Sequence, residues 1–280
     1  MNPFDRLIMR KMIVFNDNSP EAENAMEFAL NIGRKVKSDI WILSLVKKPQ
    51  DVTPKCQIAG ERQIELMTDT GHGLSFENIS DKDFYPAVIE IDASEYTGKE
   101  IYELIIRENS WMMVEGVETH VTHEVLCSID VQSVLNHVAC PLLLVPDNYT
   151  KGYFQNIIYA VDMRYCRTAV LKFLAELAEV CQANLFVEHL SAKGLPPLGD
   201  EYAQSLFNGQ IMNKINYDKV YFNNIKERNL DVAIDVVIND LHADLLALVN
   251  HRFHFEELFG RSIKNVLPDH IPVPVIIFPL

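Results

Sequence analysis

The feature that most restricts the fold is a repeat: one ordered set of strand, turn and helix signals is written twice along the 280 residues, and such self-similarity has to be read before any local motif. Each copy opens on a buried-strand pattern ending in aspartate, Met12-Ile13-Val14-Phe15-Asn16-Asp17 and then Ile157-Ile158-Tyr159-Ala160-Val161-Asp162. Each closes on a short apolar run between prolines, Pro141-Leu142-Leu143-Leu144-Val145-Pro146 and Pro274-Val275-Ile276-Ile277-Phe278-Pro279. The openings lie 145 residues apart and the closings 133, so the second copy is shorter in its middle.

Within each copy, strand and helix signals alternate. Ser19-Pro20 supplies a helix N-cap with proline in the first turn, and Ala22, Ala25, Met26, Ala29, Ile32 and Val36 recur at the spacing of one helix face. Strands are expected at 40–46, 87–91, 111–114 and 142–145, with helices at 99–107 and 130–137 and a weaker helical stretch at 57–68. In the second copy Ala169, Phe173, Leu174, Leu177 and Cys181 form the first helix stripe. Strands follow at 184–190, 219–222, 245–249 and 275–278, and helices at 201–215, 231–241 and 264–267. Continuous apolar strands alternating with helices imply a parallel sheet covered on both faces. The expectation is an α/β chain of two tandem Rossmann-like, doubly wound domains, 1–147 and 153–280, each a five-stranded parallel sheet of order 3-2-1-4-5. The linker between them is short, so the two should pack closely. Their apolar last strands are the expected pairing surface, because a flat apolar edge is a liability unless covered.

In such sheets ligands bind beyond the carboxyl ends of the strands, where the strand order reverses. With this order the crevice lies between the first and fourth strands, which places Asp17 and Gly116 at one site and Asp162 and Asn250 at the other. An aspartate at that position also has a plain structural use, capping the helix that follows.

At this point the chain resembles the universal stress protein family in its tandem form. The resemblance rests on the strand ending in Asp, the Asp17-x-Ser19 turn into an alanine-rich helix, Ala243-Asp244-Leu245 opening a fourth strand, Ser128 and Ser262 opening the fourth helices, and the proline-fenced last strands. It implies a stress-response protein, often an ATP or AMP binder with Mg²⁺, that pairs through its last strand. Nucleotide-binding members carry G-x2-G-x9-G-[S/T] after the fourth strand, where glycines let backbone amides approach phosphates at a helix N-terminus. The pocket positions carried over by the resemblance are Asp17, Gly116 and Ser128 in the first copy and Asp162, Gly260 and Ser262 in the second.

The sequence departs from that motif. Thr119 stands where the second glycine belongs, Cys127-Ser128 where Gly-Ser belongs, and Asn250 and Phe253 replace both early glycines of the second copy. The serines follow the first motif position by 12 residues in both copies, two fewer than the family pattern, so each loop is less able to fold around a triphosphate. Both pockets are therefore expected to be degenerate and the protein to be a non-catalytic binding and interaction module. The alternative is an ATP/AMP sensor or slow ATPase using the first copy.

Other signals have plainer readings. His120-x-x-His123-Glu124 and His251-x-x-His254-x-Glu256 have metal-ligand elements, but the pairs do not align fully between copies and the loop lacks a convincing helical pattern, so they read as surface imidazoles. Phe253, Phe255 and Phe259 read as core filling, with occupation of a nucleotide's place as the sharper reading. Gly71-His72-Gly73 lacks the strand-to-helix context of a phosphate loop. No nucleophile elbow or ordered Ser/His/Asp set is present.

Composition narrows the partners. With 39 acidic and 25 basic residues the formal charge is −14, which repels a phosphate backbone and argues against nucleic acid. No apolar run reaches the length of a membrane span, and the N-terminal residues lack a signal-peptide pattern, so cytoplasmic location is expected. Five cysteines with no C-x-x-C pair exclude zinc fingers and thioredoxin-like motifs. A homodimer and a protein partner of unknown identity remain open.

Overall fold

A computed structural model describes residues 10–47, 84–118, 130–260, 267–268 and 270–280. Its strands form one ten-stranded sheet. The first half contributes β1 (Arg10–Asn16), β2 (Ser38–Ser44), β3 (Val88–Asp92), β4 (Met112–Val117) and β5 (Leu142–Pro146), with helices α1 (Pro20–Val36), α2 (Gly98–Arg107) and α3 (Val131–His137). The second half contributes β6 (Asn156–Val161), β7 (Asn184–Leu190), β8 (Val220–Ile225), β9 (Leu245–Val249) and β10 (Val275–Phe278), with α4 (Thr168–Cys181), α5 (Asp200–Leu206), α6 (Leu230–Asp240) and α7 (Phe253–Phe259). Across the sheet the order is β3-β2-β1-β4-β5-β10-β9-β6-β7-β8. Each half thus has the order 3-2-1-4-5, and all pairs within a half are parallel.

The halves meet through β5 and β10, the one antiparallel pair of strands described, with Leu142 opposite Ile277, Leu143 opposite Ile276 and Leu144 opposite Val275. All six side chains are 0–1% exposed. Burying an aliphatic side chain is worth about 1.5–3 kcal/mol, so separating the halves would expose a large part of the core. Because the seam is antiparallel, the carboxyl ends of the two sets of strands face opposite rims of the sheet.

Beside the seam the two first helices, α1 and α4, lie against each other, supported by Trp111 stacked on Phe173 with ring centroids 4.8 Å apart and by an Arg10–Glu176 ion pair at 2.8 Å. The connecting segment is fastened, not free. Phe154 is 1% exposed and packs on Phe28. The buried Asp244 carboxylate accepts from Lys151 Nζ at 2.6 Å and from the Gln155 and Asn156 amides at 2.8 and 3.0 Å.

Local signals explain the elements. Ser19 caps α1 by accepting from the Ala22 amide at 3.1 Å, with Pro20 in the first turn. Thr97 and Glu100 form a reciprocal capping box on α2. The helix expected over 201–215 is shorter: α5 ends at Leu206, and a wider turn over Phe207–Ile211 replaces its continuation. Asn208-Gly209 are weak helix formers, and the turn seats Phe207, 4% exposed, in a stack on Phe222. A helix not expected, α7, follows β9. The helical stretches expected at 57–68 and largely that at 264–267 lie outside the described residues. No helix among the described residues is long and apolar enough to cross a membrane.

Candidate functional site

Two crevices occupy the reversal points of strand order, one past β1 and β4 and the other past β6 and β9. In the first, the chain turns from β1 into α1 through Asn16, Asp17, Asn18 and Ser19. Asp17 is half-buried and its Oδ1 accepts from the Ser19 amide at 3.0 Å. Asn18 takes a left-handed backbone, φ 64°, which asparagine tolerates better than most residues. Gly116, near the end of β4, has a purely steric reason to be glycine. A Cβ there would lie 2.1 Å from the Glu21 carbonyl oxygen and 2.7 Å from the Ala22 nitrogen, both backbone atoms of the first turn of α1. It is the point of closest approach between helix and strand. Ser128, His120, His123, Thr119 and Cys127 lie outside the described residues.

The second crevice is built differently. Asp162 ends β6 and is 3% exposed. Arg164, two residues on, donates through Nε to Oδ1 at 2.8 Å and through Nη2 to Oδ2 at 2.5 Å. The amides of Arg164 and Ala192 donate to Oδ1 and Oδ2 at 3.1 and 3.0 Å. Four donors use the lone-pair capacity of a carboxylate. Burial pushes this carboxyl up, but the Arg164 guanidinium and the two amides outweigh it, and its pKa falls below the usual range.

Over Asp162 lies α7. Phe255 is fully buried and packs on Phe259 at 5.4 Å; Phe253 meets Tyr165 at 5.1 Å, and the Arg252 guanidinium sits over the Tyr165 ring. What remains is a cavity of about 20 Å³ lined by Asp162, Tyr165, Arg252, Phe253, His254 and Phe255 among others, roughly the room of one water molecule. The reading of Phe253, Phe255 and Phe259 as filling side chains agrees with this packing.

The surface-imidazole reading fails for His254. It is 5% exposed, with Nε2 placed to donate to the Leu190 carbonyl at 3.0 Å, while Nδ1 has no partner. Burial moves its pKa down. Beside it stands His189 of β7, 0% exposed, whose Nδ1 accepts from the Met163 amide at 3.2 Å and whose Nε2 has no partner. Its pKa is also lowered by burial. No sequence motif marked His189; its signal was an imidazole at an inward position of a buried strand. His251 is exposed, with a left-handed backbone of φ 51°. It joins a cluster bridging the halves: its Nε2 lies 3.0 Å from Asn136 Oδ1 of α3, and the buried Asn250 carboxamide accepts from Gln132 of α3 at 3.1 Å. His251 and His254 therefore serve different partners, and among the described residues no group of three or more His, Cys, Asp or Glu is placed to hold a metal ion. Gly260 ends α7 with φ 72°, in open space, its amide donating to the Glu256 carbonyl at 2.9 Å. Ser262 lies outside the described residues.

One further buried acid was not marked by sequence. Glu188 on β7 is 0% exposed, accepts from Asn223 at 2.7 Å through one oxygen, and leaves the other without a partner. Burial raises its pKa.

No protein-family model matches the chain, and no curated protein matches it by sequence. Solved structures do match. A universal stress protein from Archaeoglobus fulgidus superposes with a TM-score of 0.53 over 96% of this chain and 97% of its own, at 16% identity. The chain has the universal stress protein fold. A putative universal stress protein from Pseudomonas aeruginosa gives a TM-score of 0.51 at 13% identity, covering 96% of this chain and 93% of that one. The cytoplasmic domain of a prokaryotic cation chloride cotransporter gives 0.50 at 10% identity over 96% and 95%. The universal stress protein fold is thus shared by stress proteins and by a cotransporter's cytoplasmic domain, and the crevices themselves have to carry the functional argument.

Proposed function

We propose that this protein is a non-catalytic, universal stress protein-like binding and interaction module of the cytoplasm, whose second nucleotide pocket is degenerate. Two repeat units, 1–147 and 153–280, form an internal pseudo-dimer through their last strands. One observation carries the reading: Phe253, His254 and Phe255 fill the second crevice over an Asp162 already held by Arg164, leaving about 20 Å³, far below the ~300 Å³ and more of a small-molecule site. The asparagine at position 250, turned toward α3 of the other half, supports the same conclusion. Where ligand chemistry is lost but the fold is kept, recognition of a protein partner in stress response is the role that remains.

A second reading is favoured for the first half alone. Asp17 is half-buried with a single donor described on its carboxylate, so a site for ATP or AMP, with Mg²⁺, would be sought there. Equilibrium binding of ATP and AMP with and without Mg²⁺, on protein freed of carried-over nucleotide, separates the two. No binding up to millimolar nucleotide is expected. Micromolar binding lost in Asp17→Ala but kept in Asp162→Ala would replace the first reading with a sensor in the first half.

A further inference from the structure

Two buried imidazoles, His254 among the side chains that line the second crevice and His189 on β7, stand where neither ring has a place for a second proton. His254 donates from Nε2 to the Leu190 carbonyl and leaves Nδ1 bare, so a proton on Nδ1 would be a buried donor without an acceptor. His189 uses Nδ1 to accept from the Met163 amide at 3.2 Å; a proton there would face that N–H, with only the Val161 carbonyl, at 3.4 Å, to turn to. The tautomers follow from these contacts. A charge on His189 also bears on His254.

Burial outweighs the relief that the surrounding charges give the pair. The Asp162 carboxylate beside it favours a proton on either ring, but the lowering by burial is larger, and the carboxylate oxygens are already taken by Arg164 and two amides. Arg164 and, at the head of α7, Arg252, whose Nε has no partner, add positive charge. β9 offers Leu248 and Val249, and the buried face of α6, which packs on α7, is Leu230, Ala233, Ile234, Val237 and Ile238. Tyr165 contributes a neutral phenol. Glu256 and Glu257 of α7 itself are exposed, and Glu188, next to His189 in sequence, points to the opposite face of the sheet.

We infer that α7 is an acid-released plug: protonation of His189 and His254 drives residues 253–259 out of the second crevice and opens the space over Asp162. This rests on the second crevice being closed by its own side chains, and it stands whether or not the first crevice takes a nucleotide. The sign follows from burial. Both imidazoles hold protons less readily closed than exposed, so the closed form is fully favoured above their ordinary pKa of 6.5 and loses that advantage as the pH falls below it. Seven residues capped by an arginine, with no side-chain cap bond, make α7 a cheap element to detach.

Amide hydrogen exchange on the full chain tests this at about pH 7.5 and about pH 5, after correction for the intrinsic pH dependence of exchange. Protection of α7 is expected to fall about tenfold or more on acidification while α1 and α4 keep theirs. The substitutions His189→Gln and His254→Gln together, which keep polar groups but cannot take a proton, are expected to abolish the response. Equal protection at both pH values, simultaneous loss in α4 and α7, or a response that survives in the double variant would overturn the proposal. Should that variant fail to fold, NMR titration of the wild-type imidazoles decides: they should gain protons as α7 opens, and staying neutral until the whole chain unfolds would refute the idea. Nucleotide binding plays no part in either readout, so failure here is distinguishable from failure of the proposed function.

Discussion

The two crevices stand at the same point of the same strand order, and the described residues at each are arranged differently. In the second, a carboxylate is locked by an arginine two residues away and roofed by aromatic side chains of a short helix. In the first, the corresponding carboxylate makes one local turn bond among the described residues, and the tightest feature there is backbone against backbone, Gly116 on α1. The lesson is that topology fixes where a crevice lies, while a handful of side chains decides whether anything is left in it.

The comparison can be broken or sharpened by substitution. The largest effect is expected for Gly116→Ala, since a Cβ 2.1 Å from a helix carbonyl cannot be accommodated without moving α1; a loss of about 5 kcal/mol or failure to fold should appear in denaturant unfolding. Phe255→Ala should follow at about 3–5 kcal/mol, as removal of a fully buried ring leaves a cavity. If it cost under 1 kcal/mol, α7 would not be packed as described. Asp162→Asn should lose about 2–3 kcal/mol by breaking a buried ion pair, against about 0.5 kcal/mol for Asp17→Asn. Equal costs would erase the distinction between the crevices. Ser19→Ala, which removes the cap of α1, should cost about 1 kcal/mol by the same unfolding measurement.

Much of this was legible beforehand, for physical reasons. Strand runs such as Leu142–Val145 and Val275–Phe278 are apolar on both faces, and that composition belongs only in the middle of a sheet; the two now lie side by side. Ser19-Pro20 announced α1 because capping is local. The details that close the second crevice were harder to see. Asp162 and Arg164 are two residues apart, a spacing with no regular meaning until a tight turn folds one onto the other. Phe255, Leu258 and Phe259 did carry a helical spacing, but over so few residues that the adjacent histidines looked like loop. Gly116 drew attention as a phosphate-loop glycine because sequence cannot display the approach of α1, a contact between residues 95 positions apart.

The antiparallel seam between β5 and β10 has a geometric outcome. It turns one half upside down relative to the other, so the two crevices open on opposite rims of a single continuous sheet. At the rim of the second, α3 of the first half reaches across to touch Asn250 and His251. The two crevices therefore share no rim, and the side chains that fill the second lie across the sheet from the first.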